Sequence, residues 1–203
     1  MDFLLLPHFL PLFCGYFCGS VSFALIFAKS RGIDLHRVGS GNPGATNVGR
    51  TLGKKFGFLV YFFDMLKGFL PTYACCFLYP ESISYAVFAG LGSYLGHIWP
   101  LYSLFRGGKG VATLSGAMFA LQLLPTLYAG IAFFLILIIT RTMALSSLAF
   151  GLALPVCFYF TNQDPFVFFF ALFGGIFLFF THRSNIARLL SKEERTVVKT
   201  DDF

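Results

Sequence analysis

The sequence predicts an all-α integral membrane protein with seven transmembrane helices, its N-terminus outside and its C-terminus cytosolic. Three observations carry that prediction. Of 203 residues, 57% are hydrophobic, 19% aromatic and only 12% charged, with mean hydropathy +0.75, a balance outside the globular norm and inside the membrane class. Apolar runs recur at the length of about 20 residues that a helix needs to cross a hydrocarbon core of about 30 Å. Lys and Arg fall on one side of the chain threaded through those runs.

Taken in order, the first span is expected over residues 3–28, the second over 56–79 and the third over 83–105. Residues 111–140 are interrupted by Pro125 and are too long for one upright helix, so they read as two short or tilted spans, the fourth and fifth. The sixth and seventh cover 143–160 and 166–181, separated by the turn-like "TNQDP". With seven spans, 14 of the 15 Lys and Arg residues lie on one side and the loops opposite carry only Asp2, Glu81 and Asp164. Merging the fourth and fifth spans would put Arg141 and the tail on the other side. The N-terminus lacks the positive start of a signal peptide and reads as a retained span. A single polytopic domain over 1–203 is expected, with cytosolic loops at 29–55 and 106–110 and a cytosolic tail at 182–203.

Composition also narrows the function. Cys14, Cys18, Cys75, Cys76 and Cys157 all lie in predicted spans, which favours small packed residues over a disulfide framework, and no Cys or His spacing suggests a metal. The net charge of +6 is spread over loops without an aromatic RNA-binding motif, so it is read as a topology signal and not as nucleic-acid binding.

Three polar segments are out of keeping with simple connectors: "GSGNPGATNVGR", "FRGGKGVAT" and "THRSNIARLL". The first sets Gly39, Gly41, Gly44 and Gly49 among Ser40, Asn42, Thr46 and Asn47 and ends in Arg50. Glycines let backbone N–H groups close around an oxyanion, and the hydroxyls and amides add donors. The second places Gly107, Gly108, Lys109 and Gly110 at the start of a span, where a lysine and a helix N-terminus both favour phosphate. It is not a Walker A loop, because no Ser or Thr follows the lysine directly. Tight turns and contacts with anionic lipid are the competing explanations. Asp64 and Lys67 stand three residues apart on one face of the second span, with Lys67 about 18 Å of rise into it. They form either a mutually neutralising pair or a ligand site. His97 is either a packing histidine or a base.

Together "GSGNPGATNVGR", "DMLKGFLP" and "GHIWPLYSLFRGGKGVAT" resemble the three signature motifs of the bacterial acyl-phosphate:glycerol-3-phosphate acyltransferase family known as PlsY, and "HRSNIARLL" resembles its C-terminal motif. The resemblance runs in order along nearly the whole chain. It implies transfer of a fatty acyl group from a membrane-soluble acyl phosphate to the 1-hydroxyl of glycerol 3-phosphate, giving lysophosphatidate and phosphate, in the bacterial inner membrane and without a cofactor or metal. Substrates and membrane lipid are the implied partners.

By motif position, the resemblance makes Ser40, Asn42, Lys109, His182 and Asn185 catalytic. Gly41, Gly44, Thr46, Asn47, Arg50, Lys67, Arg106, Gly107 and Gly108 would bind substrate phosphate, with His97, Ser147, Arg183 and Arg188 in support. Arg50, Lys109 and Lys67 would clamp phosphates, while Ser40, Asn42 and the glycine amides would stabilise the oxyanion. Soluble and CoA-dependent glycerophosphate acyltransferases use a histidine with an aspartate five residues later. Here those positions hold Phe13, Gly41, Tyr102 and Ala187, so that motif is missing and a substrate phosphate is expected to take the hydroxyl proton, without a covalent acyl-enzyme. Arg106 stands where the family often has lysine, and Ala144 and Lys192 where it often has Ser and Gly. Two rival classes are an anion transporter, which Lys67 at membrane depth would suit, and a structural lipid-binding protein, which leaves the glycine loops unexplained.

Overall fold

The computed structural model describes residues 6–161 and 164–197, all of them helix or loop. Asp2, the start of the first span, Asn162 and Gln163 of "TNQDP", and Lys199 lie outside the described residues. Two compact units emerge, Met1–Leu121 and Gln122–Phe203.

In the first unit, α1 (Leu6–Ser20) and α2 (Phe23–Lys29) divide the first expected span. The break falls at Val21 and Ser22, where Ser22 leaves helical geometry and its hydroxyl accepts the Leu25 N–H at 3.4 Å, capping α2. The Val21 carbonyl at the break accepts a hydrogen bond from Lys67 Nζ at 2.7 Å. After a long loop come α3 (Ala45–Leu52), α4 (Lys54–Leu78) and α5 (Ile83–Ile98), then a 3-10 turn at Leu101–Ser103 and α6 (Val111–Leu121).

Packing here rests on glycine. Gly15 and Gly19 of α1 face the Ala89 and Ser93 carbonyls of α5, and Gly92 and Gly96 of α5 face the Leu12 and Tyr16 carbonyls of α1; a Cβ at any of the four would collide with those carbonyls. Spaced four residues apart, they let two backbones touch, which is how helices gain contact where lipid removes the hydrophobic drive between them. α4 and α6 repeat the device, with Gly68 under the Thr113 carbonyl and Gly116 under that of Met65. Pro71 lacks the N–H that would bond the Lys67 carbonyl. That carbonyl instead lies 3.0 Å from the Ser93 hydroxyl of α5, which is also 3.0 Å from the Gly15 carbonyl of α1, so one hydroxyl joins three helices.

The second unit holds α7 (Leu123–Thr140), α8 (Met143–Phe160), α9 (Pro165–Thr181) and α10 (Arg183–Leu190). α7 packs on α8 and α8 on α9. Pro155 frees the Gly151 carbonyl, and that oxygen sits against Gly175 of α9, where no Cβ would fit. Asp164 caps α9, its carboxylate accepting the Phe166 N–H at 2.8 Å, with Pro165 in the first turn. The tail returns to the α7–α8 turn through the Val197 N–H, which donates to the Arg141 carbonyl at 2.8 Å.

The expectation of seven spans is overturned. Among the described residues three helical stretches are long and apolar enough to cross a membrane: His8–Lys29, Leu123–Thr140 and Met143–Phe160; a fourth arises if Pro165–Thr181 and Arg183–Leu190, bent by 57°, count as one. The reason lies in helix length and charge. α4 carries Lys54, Lys55, Asp64 and Lys67, α5 has 16 residues, and α6 has 11. The third expected span, 83–105, had joined residues 99–105 to α5. The break in 111–140 is real but falls at Gln122, and Pro125 sits in the first turn of α7, where a missing N–H costs nothing. No cysteine is in a disulfide, and Cys14 and Cys18 are exposed on α1 and not packed inside.

Candidate active site

The first glycine loop is built around Asn47. Its side chain is 2% exposed; Oδ1 accepts the Ser40 N–H at 2.9 Å, and Nδ2 donates to the Val38 carbonyl at 3.1 Å and the Leu35 carbonyl at 3.5 Å. Gly39 and Gly41 adopt φ of 62° and 70°, a left-handed conformation that other residues enter at a cost. A Cβ at Gly39 would also strike Asn47 Oδ1. The loop is therefore wound on one buried amide and turned by two glycines. Its path leads through Pro43 and Gly44 into the N-terminus of α3, whose first N–H groups lack intrahelical acceptors. Ser40 is exposed, Asn42 and Thr46 are half-buried, and Arg50 is exposed in the last turn of α3.

The third-motif loop is bound to the end of α5. Gly107 and Gly108 N–H groups donate to the carbonyls of Ile98 (3.2 Å) and His97 (3.1 Å). A Cβ on Gly107 would overlap the His97 carbonyl, and one on Gly108 would overlap the His97 ring and reach within 3.1 Å of the Pro43 carbonyl. The two glycine loops thus adjoin, at Pro43 and Gly108, over the His97 imidazole. Gly110 turns at φ 90° against the Tyr94 ring. Lys109 is half-buried between these glycines, and Arg106 is exposed just before them.

Beneath the loops lies a buried polar cluster. Asp64 Oδ1 pairs with Lys67 Nζ at 2.8 Å, both side chains at most 5% exposed. His97 Nδ1 is 3.7 Å from the same oxygen, beyond hydrogen-bond length, and has no hydrogen-bond partner. Of the two alternatives for Lys67, the neutralising pair is the arrangement present, with the ammonium also spent on the Val21 carbonyl.

In the second unit, Asn185 Nδ2 donates to Glu194 Oε1 and Arg188 Nε to Glu194 Oε2, each at 2.8 Å. His182 is 3% exposed, and its Nδ1 lies 2.9 Å from the Leu178 carbonyl. A carbonyl only accepts, so Nδ1 carries a proton and donates it to Leu178. Arg183 donates to the Phe180 carbonyl at 3.2 Å and lies over the Phe180 ring. Ser147 is buried, its hydroxyl donating to the Met143 carbonyl at 2.8 Å. Sequence reasoning missed Glu194, which holds two of the chosen tail residues; the only signal was an acidic pair within reach of the helix end, "KEER".

A family model described as glycerol-3-phosphate acyltransferase matches residues 9–192. The chain belongs to this acyltransferase family. Among curated glycerol-3-phosphate acyltransferases it is 39% identical to that of Aquifex aeolicus (strain VF5) over 92% of this chain and 96% of the relative. With that of Endomicrobium trichonymphae it is 39% identical over 88% and 90%. It is also similar to the crystal structure of PlsY, an integral membrane glycerol 3-phosphate acyltransferase, in the glycerol 3-phosphate form, with TM-score 0.90, 37% identity and coverage of 94% and 95% of the two chains. The lysophosphatidic acid form of PlsY gives TM-score 0.87 at 36% identity, with the same coverage. Membership makes this acyltransferase an all-α, multi-pass protein of a bacterial membrane.

Proposed function

We propose that the chain transfers an acyl group from a membrane-soluble acyl phosphate to the 1-hydroxyl of glycerol 3-phosphate, with the two adjoining glycine loops as the reaction centre. The observation that carries this reading is the meeting of loops 39–47 and 106–110 at Pro43 and Gly108. It puts the two polar loops side by side, with Lys109 in one and Arg50 at the end of the helix that the other leads into. Two phosphate-bearing substrates need such a pair of sites. The hydroxyl oxygen attacks the acyl carbonyl, the carbonyl-to-phosphate C–O bond breaks, and inorganic phosphate leaves with the hydroxyl proton, giving lysophosphatidate. Because the donor is a mixed anhydride, its phosphate is already a good leaving group, and the protein's task is positioning and charge stabilisation.

Ser40 and Asn42 stabilise the oxyanion, while Lys109, Arg50, Thr46 and Arg106 hold phosphate; the N–H groups of Gly41, Gly44, Gly107 and Gly108 donate to the Val38, Asn42, Ile98 and His97 carbonyls, so these four glycines shape the loops around the substrates. Asn47 acts by keeping the first loop wound, and Lys67 by fixing the α1–α2 break and neutralising Asp64. In the second unit, the family resemblance gives His182 and Asn185 catalytic roles, with Ser147, Arg183 and Arg188 in support. The loops face the cytoplasm of the inner membrane, since six Lys and Arg residues crowd residues 29–55 and basic loops are retained inside.

The test is phosphate release by purified, reconstituted protein given palmitoyl phosphate with and without glycerol 3-phosphate. Release that needs both, with lysophosphatidate formed in equal amount, is expected. Release without the acceptor, or none from folded protein that still binds glycerol 3-phosphate, would overturn the reading.

A further inference from the structure

Between α5 and the third-motif loop, residues 99–105 form an apolar hump. Trp99, Leu101, Tyr102, Leu104 and Phe105 are all exposed, Leu104 at 82% and Phe105 at 55%. Leu104 and Phe105 also hold φ of 53° and 61° in succession, a left-handed pair that glycine would enter without strain. Strain that turns two large apolar side chains away from the protein gains no packing within it, so its compensation lies outside.

Two further observations say what is outside. The hump is tied to the middle of the membrane-crossing stretch His8–Lys29: Tyr16 Oη donates to the Trp99 carbonyl at 2.7 Å, and the Leu101 N–H to Ser20 Oγ at 3.3 Å. That stretch exposes Phe13 and Phe17, so the hump continues an outward face already suited to lipid. Its backbone is also prepared for lipid, where an unpaired N–H costs several kcal/mol. Of the six N–H groups in 99–105, those of Trp99, Leu101, Ser103 and Phe105 donate within the chain, to Leu95, Ser20, Pro100 and Pro100.

We propose that residues 99–105 are inserted in the bilayer, on the hydrocarbon side of the lipid head groups, and that lipid is what covers Trp99, Leu104 and Phe105. Trp and Tyr at the edge of such a segment suit the boundary between head group and chain. The third-motif loop is then held at membrane level by lipid contact as well as by its bonds to α5.

Trp99 is the chain's one tryptophan and reports on this directly, with no need for turnover. The full chain is reconstituted in phosphatidylcholine and phosphatidylglycerol vesicles containing lipid brominated on the upper acyl carbons. Loss of Trp99 emission with brominated lipid, and resistance to aqueous acrylamide, is the expected result. A second reporter at the apex, Leu104→Trp in a Trp99→Phe background, is expected to lose emission to brominated lipid at least as strongly. Quenching by acrylamide instead would place the hump in water, and insensitivity to both quenchers would mean that protein, such as a second copy of the chain, covers it; either overturns the proposal.

Discussion

Asn47 and Lys109 show how differently two residues of separate motifs would serve the proposed site. Asn47 is almost wholly inside the protein, three hydrogen bonds deep, so Asn47→Ala unwinds the loop that carries Ser40 and Asn42. Each buried group left unpaired costs about 1–3 kcal/mol; the expected outcome is a rise of at least about tenfold in KM for glycerol 3-phosphate, read by steady-state phosphate release. Lys109 stands beside the reacting groups in the proposed chemistry. Lys109→Ala is expected to lower kcat about 10²–10³-fold, the usual loss for one preorganised donor, with the thermal midpoint unchanged. Asp64 and Lys67 make a third case. Breaking a buried ion pair from one side costs about 3–5 kcal/mol, whereas replacing both partners with apolar groups is often neutral. Asp64→Leu should therefore lower the midpoint of thermal unfolding in detergent sharply, and adding Lys67→Met should restore much of it. Equal damage from the double variant would refute a pairing role.

Glycine contacts set the helix packing, and they separate by what a methyl group would meet. Gly92→Ala drives a Cβ into the Leu12 carbonyl of α1, and Gly68→Ala into that of Thr113 on α6; both are expected to lower thermal stability and protein yield. Gly130 lies in α7 with nothing near its would-be Cβ. There Gly130→Ala is expected to stabilise by about 0.5–1 kcal/mol, the helix propensity gained. The composition could not rank these glycines, since a glycine that fits a neighbour's carbonyl and one that fits nothing read alike until the helices meet. The same limit hid the break at Val21 and Ser22. Its local signal, Ser and Gly in "GSVS", is weak, and the group that makes the break tolerable, Lys67 Nζ, comes from 46 residues away.

For the molecule as a whole, the proposed chemistry meets substrate charge with protein cations, Arg50 and Lys109 foremost, and with no metal. Chelation with EDTA is accordingly expected to leave the rate of lysophosphatidate formation unchanged; a loss restored by a divalent ion would assign part of the phosphate binding to metal. In the second unit, Glu194 clasps Asn185 and Arg188 while Val197 bonds Arg141, so the segment from Glu194 to Val197 folds onto its own unit.

By itself the sequence determined the membrane class, the three polar segments and the four motifs that resemble an acyltransferase family, because glycine, amide and cation chemistry are properties of residue type in a short window. Only the tertiary structure decided how many helices are long and apolar enough to cross lipid, and that the two glycine loops meet at Pro43 and Gly108. It likewise decided that Asn47 and Lys67 are spent inside the protein and that Glu194 belongs beside Asn185. Those are outcomes of which faces touch, and burial at one position depends on side chains and carbonyls distant in sequence, which a local pattern of residue types does not encode.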